Sequence, residues 1–522
     1  QSTGACFISD ITLSSDKALN TRGWALYFSQ VSPVQKALDG EFTIEHVNGD
    51  LHKITPKAGL KSIGPDTPQT LRITSNFWHL SKSDIMPNYY LASNNPEVEL
   101  DATLVASTRT GIDPETGLET QDYTGRFEDT KKHLLRSPSD TTPIASPAVI
   151  YENNRGIEAD YEQIASAIIP SPLSLTSDSD ATLDLSKGLT LELKNIDHPA
   201  LDAAMIALAD MGMNVSDTGV KVSVEIAHKE GQQAGSYSMM IGADNIAIRS
   251  QDEEGAANAL RSLASLAMPG KSEVPQLLIE DSPRYEFRGL HIDVARNFHS
   301  KQLLLTVLEQ MASVKLNKLH LHLGDDEGWR LQIDGLPELT EIGSKRCHDL
   351  KENRCLLPQL GSGPDVNTLV NGYYSNADYI EIVRYADARH IQVIPSFDMP
   401  GHSRAAVKSM EARYRKFMEK EQVEKAEEYL LSDPEDSTEY LSVQFYTDNT
   451  INACMDSSYV FLEKVIAETQ QLHQQAGQPL SKYHIGADET AGAWTNSPRC
   501  QAFFADKENQ VENAEELNGY FV

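Results

Sequence analysis

From Pro283 onward, short apolar runs alternate with helical segments, and that alternation limits the fold more than any other feature of these 522 residues. The runs at 289–294, 318–323, 392–397 and 483–487 read as strands, and the segments at 300–314, 376–389, 402–418 and 455–476 read as helices. Repeated strand–helix units imply a parallel sheet or a (β/α) barrel of the TIM type, because parallel neighbours are joined by crossover connections. Residues 283–522 form this unit. They offer four strands, whereas a closed barrel takes eight in about 250 residues.

Two units of different character precede it. Residues 1–135 hold short alternating runs such as Trp24-Ala25-Leu26-Tyr27-Phe28, separated by turn signals such as Asn48-Gly49-Asp50, the pattern of a β-sandwich. A stretch rich in Pro and Ser at 136–150 reads as a linker, so 1–150 is taken as sandwich plus linker. Residues 151–282 mix strands at 189–193, 220–226, 237–241 and 246–248 with helices at 199–211 and 253–266. That mixture predicts an α+β layer, and Ser250-Gln251-Asp252-Glu253 is a capped start for its second helix. The expected fold class is therefore multidomain.

Charge narrows the partners. Lys and Arg number 45 against 76 Asp and Glu, a net charge of −31, and no dense basic cluster offsets it. Nucleic acid and anionic lipid are disfavoured. No stretch reaches the ~20 apolar residues of a membrane-spanning helix. Among the five cysteines, Cys347 with Cys355 and Cys454 with Cys500 read as two disulfides, and Cys6 reads as buried and unpaired. Disulfides imply an oxidising compartment, hence a periplasmic or secreted protein, or one attached at the outer membrane. CxxC metal spacing is absent.

Charged residues gather where the barrel strands end, and in such barrels the active site lies at that end. Strand two runs into Gly324-Asp325-Asp326-Glu327-Gly328-Trp329-Arg330 and strand three into Asp398-Met399-Pro400-Gly401-His402. Strand four runs into Gly486-Ala487-Asp488-Glu489, and Arg288 precedes strand one. The adjacent carboxyls of Asp488 and Glu489 cannot both ionise freely in a confined site. One then acts as a proton donor while its ionised neighbour holds a donor or a developing cation.

The runs His484-Ile485-Gly486-Ala487-Asp488-Glu489 and Asn317-Lys318-Leu319-His320-Leu321-His322-Leu323-Gly324-Asp325-Asp326-Glu327-Gly328-Trp329-Arg330 closely resemble glycoside hydrolase family 20, the exo-acting β-N-acetylhexosaminidases. Arg288-Gly289-Leu290-His291-Ile292-Asp293 and Pro400-Gly401-His402 fit the same family. Trp24-Ala25-Leu26-Tyr27-Phe28-Ser29, His46-Val47-Asn48-Gly49-Asp50-Leu51 and Met86-Pro87-Asn88-Tyr89-Tyr90 resemble the N-terminal sandwich of its bacterial chitobiase branch. The resemblance implies hydrolysis of terminal non-reducing N-acetylhexosamines, with chitobiose and chitin oligosaccharides as substrates and without cofactor or metal. It also implies substrate-assisted retention, in which the sugar's own 2-acetamido oxygen attacks the anomeric carbon. Glu489 would be the general acid and then the base. Asp488 would hold the acetamido N–H, and Arg288, Asp325 and Asp326 would bind or brace sugar hydroxyls. His402 would link the acidic pair to the catalytic carboxyls.

Family members carry four more strands, with aromatic walls and a tyrosine for the acetamido group, and these find no counterpart among the 33 residues after Glu489. The expectation is an N-terminal fragment with an incomplete barrel. Alone, it would be poorly active and aggregation-prone through its open sheet edges. Two other readings remain at this stage. His320-Leu321-His322 with Asp325, Asp326 and His402 could be a metal site of the amidohydrolase kind. The chain could also be a sugar-binding protein without catalysis. Trp24, Tyr27, Trp78 and Trp329 read as core residues rather than sugar platforms.

Overall fold

A computed structural model describes residues 7–521 apart from 21, 61, 77–83, 96–101, 109, 113–118, 122, 124–146, 159–167, 178–179, 268–270, 488 and 491. Cys6, Trp78 and Asp488 thus lie outside the described residues.

The N-terminal unit is a sandwich of a three-stranded and a five-stranded antiparallel sheet. Trp24, Leu26, Phe28, Phe42, Ile54, Leu71 and Ile73 fill the space between them. Alternation along Trp24–Ser29 sends Leu26 and Phe28 into this core. The opposite face carries Ala25 and Tyr27, which are buried with Tyr90 against Leu357 of the C-terminal unit. The sandwich therefore docks on the C-terminal unit through a strand that is apolar on both faces. Part of the expected linker is helical instead, over Pro147–Asn154.

The middle unit is a six-stranded mixed sheet. Its helices Asp202–Asp210 and Glu253–Ser265 pack on it through Leu201, Ala204, Leu208, Ala256, Leu260 and Leu263. The expected cap is in place: the Asp252 carboxylate accepts from the Gly255 N–H at 2.8 Å.

In the C-terminal unit, strands one to four are Gly289–Asp293, Lys318–Asp325, Gln392–Met399 and His484–Gly486. They lie side by side in chain order, all parallel. The helix Lys301–Ser313 follows strand one, Asn376–Asp387 follows strand two, and Arg404–Met418 and Asp456–Ala476 both lie between strands three and four. Ser375 and Asp378 close a reciprocal capping box, which starts the second helix where Ser precedes an apolar-periodic run. Leu319, Leu321 and Leu323 are fully buried against these helices. The other face of strand two carries His320 and His322, beside His291 and His484. Both expected disulfides are present, Cys347–Cys355 and Cys454–Cys500.

Candidate active site

The C-terminal ends of the four strands converge on one network of charge. Asp325 and Asp326 end strand two and are 2% and 1% exposed. Strand three leads through Gly401 into His402, whose φ of 52° is a strained left-handed conformation for a residue with a side chain. Gly401 is required by close approach, since a Cβ there would lie 1.6 Å from the Glu489 carbonyl oxygen. This contact brings the chain after strand four against the His402 loop. The imidazole then bridges the two strand ends, with Nδ1 3.1 Å from Asp326 Oδ2 and Nε2 3.1 Å from Glu489 Oε2.

Each acid has its own support. His322 Nε2 lies 2.8 Å from Asp325 Oδ2, and Ser396 holds the other nitrogen of that ring at 3.0 Å. Asp326 accepts from the Arg404 N–H at 3.0 Å and from Asn449 Nδ2 at 3.1 Å. Asp326 thereby caps the helix Arg404–Met418, where the helix dipole favours a negative charge. The Arg296 guanidinium spans Asp293 at 2.9 Å, Asp325 at 2.8 Å and Glu327 at 3.3 Å. Tyr446 donates its hydroxyl to Glu327 Oε1 at 3.0 Å.

Burial and pairing pull these groups apart. Burial raises Asp325, but His322, His402 and Arg296 overcome it and hold the carboxyl at about 2. Glu327 is driven the other way, to about 7, by burial and by the charges of Asp325 and Asp326. Burial alone would lower His402, yet its hydrogen bonds to Asp325 and Asp326 and their charges lift it to about 11. His402 is therefore an imidazolium at neutral pH, and both ring N–H groups donate, one to Asp326 and one to Glu489. The Glu489 and Arg296 side chains are each about one-third exposed, whereas Asp325, Asp326 and His402 are buried. Solvent and any ligand thus meet Glu489 and Arg296 first, and the buried groups hold them.

Of the expected site residues, Asp325, Asp326, His402 and Glu489 come together. Asp488 falls outside the described residues. Arg288 does not belong to the site. Its guanidinium bonds Glu254 of the middle unit at 2.6 Å and the carbonyl oxygens of Lys315 and Tyr285 at 2.8 Å each. The reason is direction: a residue before a parallel strand sits at the strand's N-terminal end, opposite the charge network. Arg296, three residues beyond the end of strand one, occupies the place expected of Arg288. The same rule of strand direction would have selected it from the sequence. Glu327, Tyr446 and Asn449 were also missed; the last two stand on a long connection with no periodic signal.

Trp329 is 2% exposed and donates to the Leu331 carbonyl, so it is core, as are Trp24 and Tyr27. A cavity of about 390 Å³ lined by Glu411, Asp433, Tyr440, Asp448 and Trp494 contains none of the four converging residues. Among the described residues, two sets could present metal ligands: His322, Asp325 and Asp398, and Asp325, Asp326 and His402. In the first, His322 Nε2 is paired with Asp325, and in the second both His402 nitrogens are paired with Asp326 and Glu489. His320, which the amidohydrolase reading needs beside His322, joins neither set.

Residues 285–522 match the family profile "Glycosyl hydrolase family 20, catalytic domain", and residues 165–282 match "Glycosyl hydrolase family 20, domain 2". The chain belongs to glycosyl hydrolase family 20. Residues 1–148 match "Putative carbohydrate binding domain". A beta-hexosaminidase of Vibrio vulnificus is 44% identical over 99% of this family 20 chain and 61% of its own length. The N,N'-diacetylchitobiase of Vibrio harveyi is 39% identical over 91% of the chain and 53% of its own length. The chain thus spans between about half and two-thirds of these relatives. Among solved structures, the GH20 exo-β-N-acetylglucosaminidase of Vibrio harveyi in complex with N-acetylglucosamine superposes with a TM-score of 0.75. That match has 25% identity and covers 100% of this chain and 71% of the other.

Proposed function

We propose that this family 20 chain carries the acid–base half of an exo-acting β-N-acetylhexosaminidase, acting on terminal non-reducing N-acetylhexosamines of chitobiose and related oligosaccharides. The observation that carries this reading is the relay Asp326–His402–Glu489. A buried carboxylate fixes an imidazolium, and the imidazolium holds one oxygen of a partly exposed carboxyl at the mouth. The other oxygen of Glu489 is left to carry the proton.

In the proposed reaction, Glu489 protonates the glycosidic oxygen as the C1–O bond breaks. The 2-acetamido carbonyl oxygen of the same sugar forms a bond to C1, giving an oxazolinium ion, and Asp488 accepts the acetamido N–H. Glu489 then takes a proton from water as that water attacks C1, and the acetamido group is restored. Two displacements at C1 retain its configuration. Arg296, with two N–H donors beyond its three acidic partners, is the group we assign to sugar hydroxyls. Asp325 and Glu327 orient that fork. The four parallel strands are read as consecutive units of a TIM-type barrel with its site at the strands' C-terminal ends.

The relatives' names support the substrate class, and the N-terminal match supports a carbohydrate-binding role for the sandwich. The two disulfides support a periplasmic or secreted location. No helix among the described residues is long and apolar enough to cross a membrane.

The test is turnover of N,N′-diacetylchitobiose by the wild type, Glu489→Gln and Asp488→Asn. Both variants should lose turnover, and Glu489→Gln should recover on a substrate whose leaving group needs no proton. Full activity of Glu489→Gln would sink the proposal.

A further inference from the structure

The hairpin joining the sandwich strands Phe42–Asn48 and Leu51–Pro56 turns at Asn48-Gly49-Asp50. Hairpin tips are usually solvated. Here Asn48 and Asp50 are each 6% exposed, because the tip is seated in the C-terminal unit. Gly49 N–H donates to the Phe445 carbonyl at 3.0 Å, and Asn48 Nδ2 donates to Asp448 Oδ1 at 2.7 Å. Thr447 N–H returns a bond to Asn48 Oδ1 at 3.2 Å. On the other side, Asp50 N–H donates to Gln359 Oε1 at 2.8 Å, and Leu360 N–H donates to Asp50 Oδ2 at 2.7 Å.

Gly49 has no substitute here, for two reasons. Its φ of +57° favours glycine. A Cβ would also lie 2.4 Å from Tyr446 Cε1 and 2.5 Å from Gln359 Oε1.

What the tip holds leads directly into the site. Tyr446, pressed by Gly49, donates to Glu327. Asp448, held by Asn48, bonds Arg404 Nε at 2.8 Å and Lys408 Nζ at 2.8 Å. Asn449 donates to Asp326, and its carbonyl accepts the Ser403 N–H at 2.8 Å. Arg404 is 1% exposed and is also gripped by the Glu352 carboxylate, at 2.8 and 2.6 Å. Two short paths therefore run from the tip to the acids. One goes through Tyr446 to Glu327. The other goes through Asp448 and Arg404 to Asp326, His402 and Glu489.

We propose that Asn48-Gly49-Asp50 is a positioning element of the active site, in which the sandwich clamps segment 445–449 against the acidic network and so fixes His402 behind Glu489. This rests on the hydrolase reading given above. The tip is polar and ends on site groups, whereas simple adhesion between the units is already supplied by the apolar contact of Tyr27 and Tyr90 with Leu357. Because the tip is buried, it is not a sugar-binding surface.

The test uses the full chain with Asn48→Ala and Gly49→Ala, and with Thr43→Ala on the same hairpin as a control; Thr43 is exposed. Kinetics are measured on a chromogenic N-acetylglucosaminide across pH, together with thermal melts and amide exchange. For Asn48→Ala we expect kcat to fall tenfold or more, KM to stay within twofold and the pH profile to shift. Thr43→Ala should match the wild type. Amides of Ser403, Arg404 and 445–449 should exchange faster in Asn48→Ala. If Tm falls while kcat and the pH profile stay at wild-type values, the tip merely glues the units and the proposal fails. If the wild type itself turns over no substrate, that result counts against activity of this chain alone and not against the tip. Amide exchange then decides: unchanged protection at 403–404 and 445–449 overturns the clamp, and faster exchange upholds it.

Discussion

His402 places one ring nitrogen 3.1 Å from Glu489, and its other nitrogen at the same distance from the buried Asp326. This pairing makes the imidazole a fixed cation rather than a free base. The Glu489 carboxyl is thereby oriented by a buried group.

His402→Asn should lower kcat on chitobiose by about 10- to 100-fold, within the range that general acid–base catalysis supplies. KM should change little, because His402 is 3% exposed and both its ring nitrogens are engaged by Asp326 and Glu489. Steady-state kinetics decide this, and an unchanged kcat would dissociate His402 from the acid.

The two arginines of strand one should separate cleanly. Arg296→Ala should cut kcat/KM by about 100-fold or more, since charge-assisted bonds to hydroxyls are worth about 1.5–3 kcal/mol each. Arg288→Ala should leave kcat/KM within a few-fold and cost about 3 kcal/mol of stability, because it strands Glu254 in a mostly buried pair. Kinetics and denaturant unfolding of both variants check the assignment.

Glu327 should make stability depend on pH. Its carboxyl keeps a proton up to about 7 in the folded chain against 4.5 ordinarily. Between those values the folded state binds more protons than the unfolded one, so this group's contribution is complete at low pH and is lost as pH rises through 7. The loss reaches about 3 kcal/mol at 1.36 kcal/mol per unit. Glu327→Gln should abolish that slope between pH 4.5 and 7 in urea unfolding series. A slope identical to wild type would show that Glu327 does not carry it.

The disulfides should contribute unequally. Cys454–Cys500 closes a separation of 46 residues and Cys347–Cys355 one of 8. Chain-entropy arguments give about 4 and about 2.5 kcal/mol. Replacing each pair by serine and comparing midpoints of unfolding tests the order.

Much of this was legible in the residues. The strand–helix alternation after Pro283 returned the four parallel strands and the four longest helices among the described residues of that unit within a few positions, because each element buries one face and so writes a local period. Asp252 marked a helix start through a side chain that reaches only three residues. The cysteine pairs followed from spacing and context. Charged strand ends pointed to one end of the sheet, and four of the six expected site residues meet there.

The errors have one source. Arg288 and Arg296 both flank strand one, and only the strand's direction in a parallel sheet tells the mouth from the base. Tyr446 and Asn449 belong to a connection whose order comes from what it touches, not from a period. Asn48-Gly49-Asp50 read correctly as a turn, but its partner Asp448 lies 400 positions away.

The sequence by itself determined the elements, their order and the chemistry available at the strand ends, since those depend on neighbours within a turn or two. Only the tertiary structure decided which charges meet. Ion pairs and hydrogen bonds depend on distances of a few ångströms, and the packing of three units, not separation along the chain, sets those distances. That is why a sandwich hairpin, a histidine in a strained loop and an acid after strand four form one network.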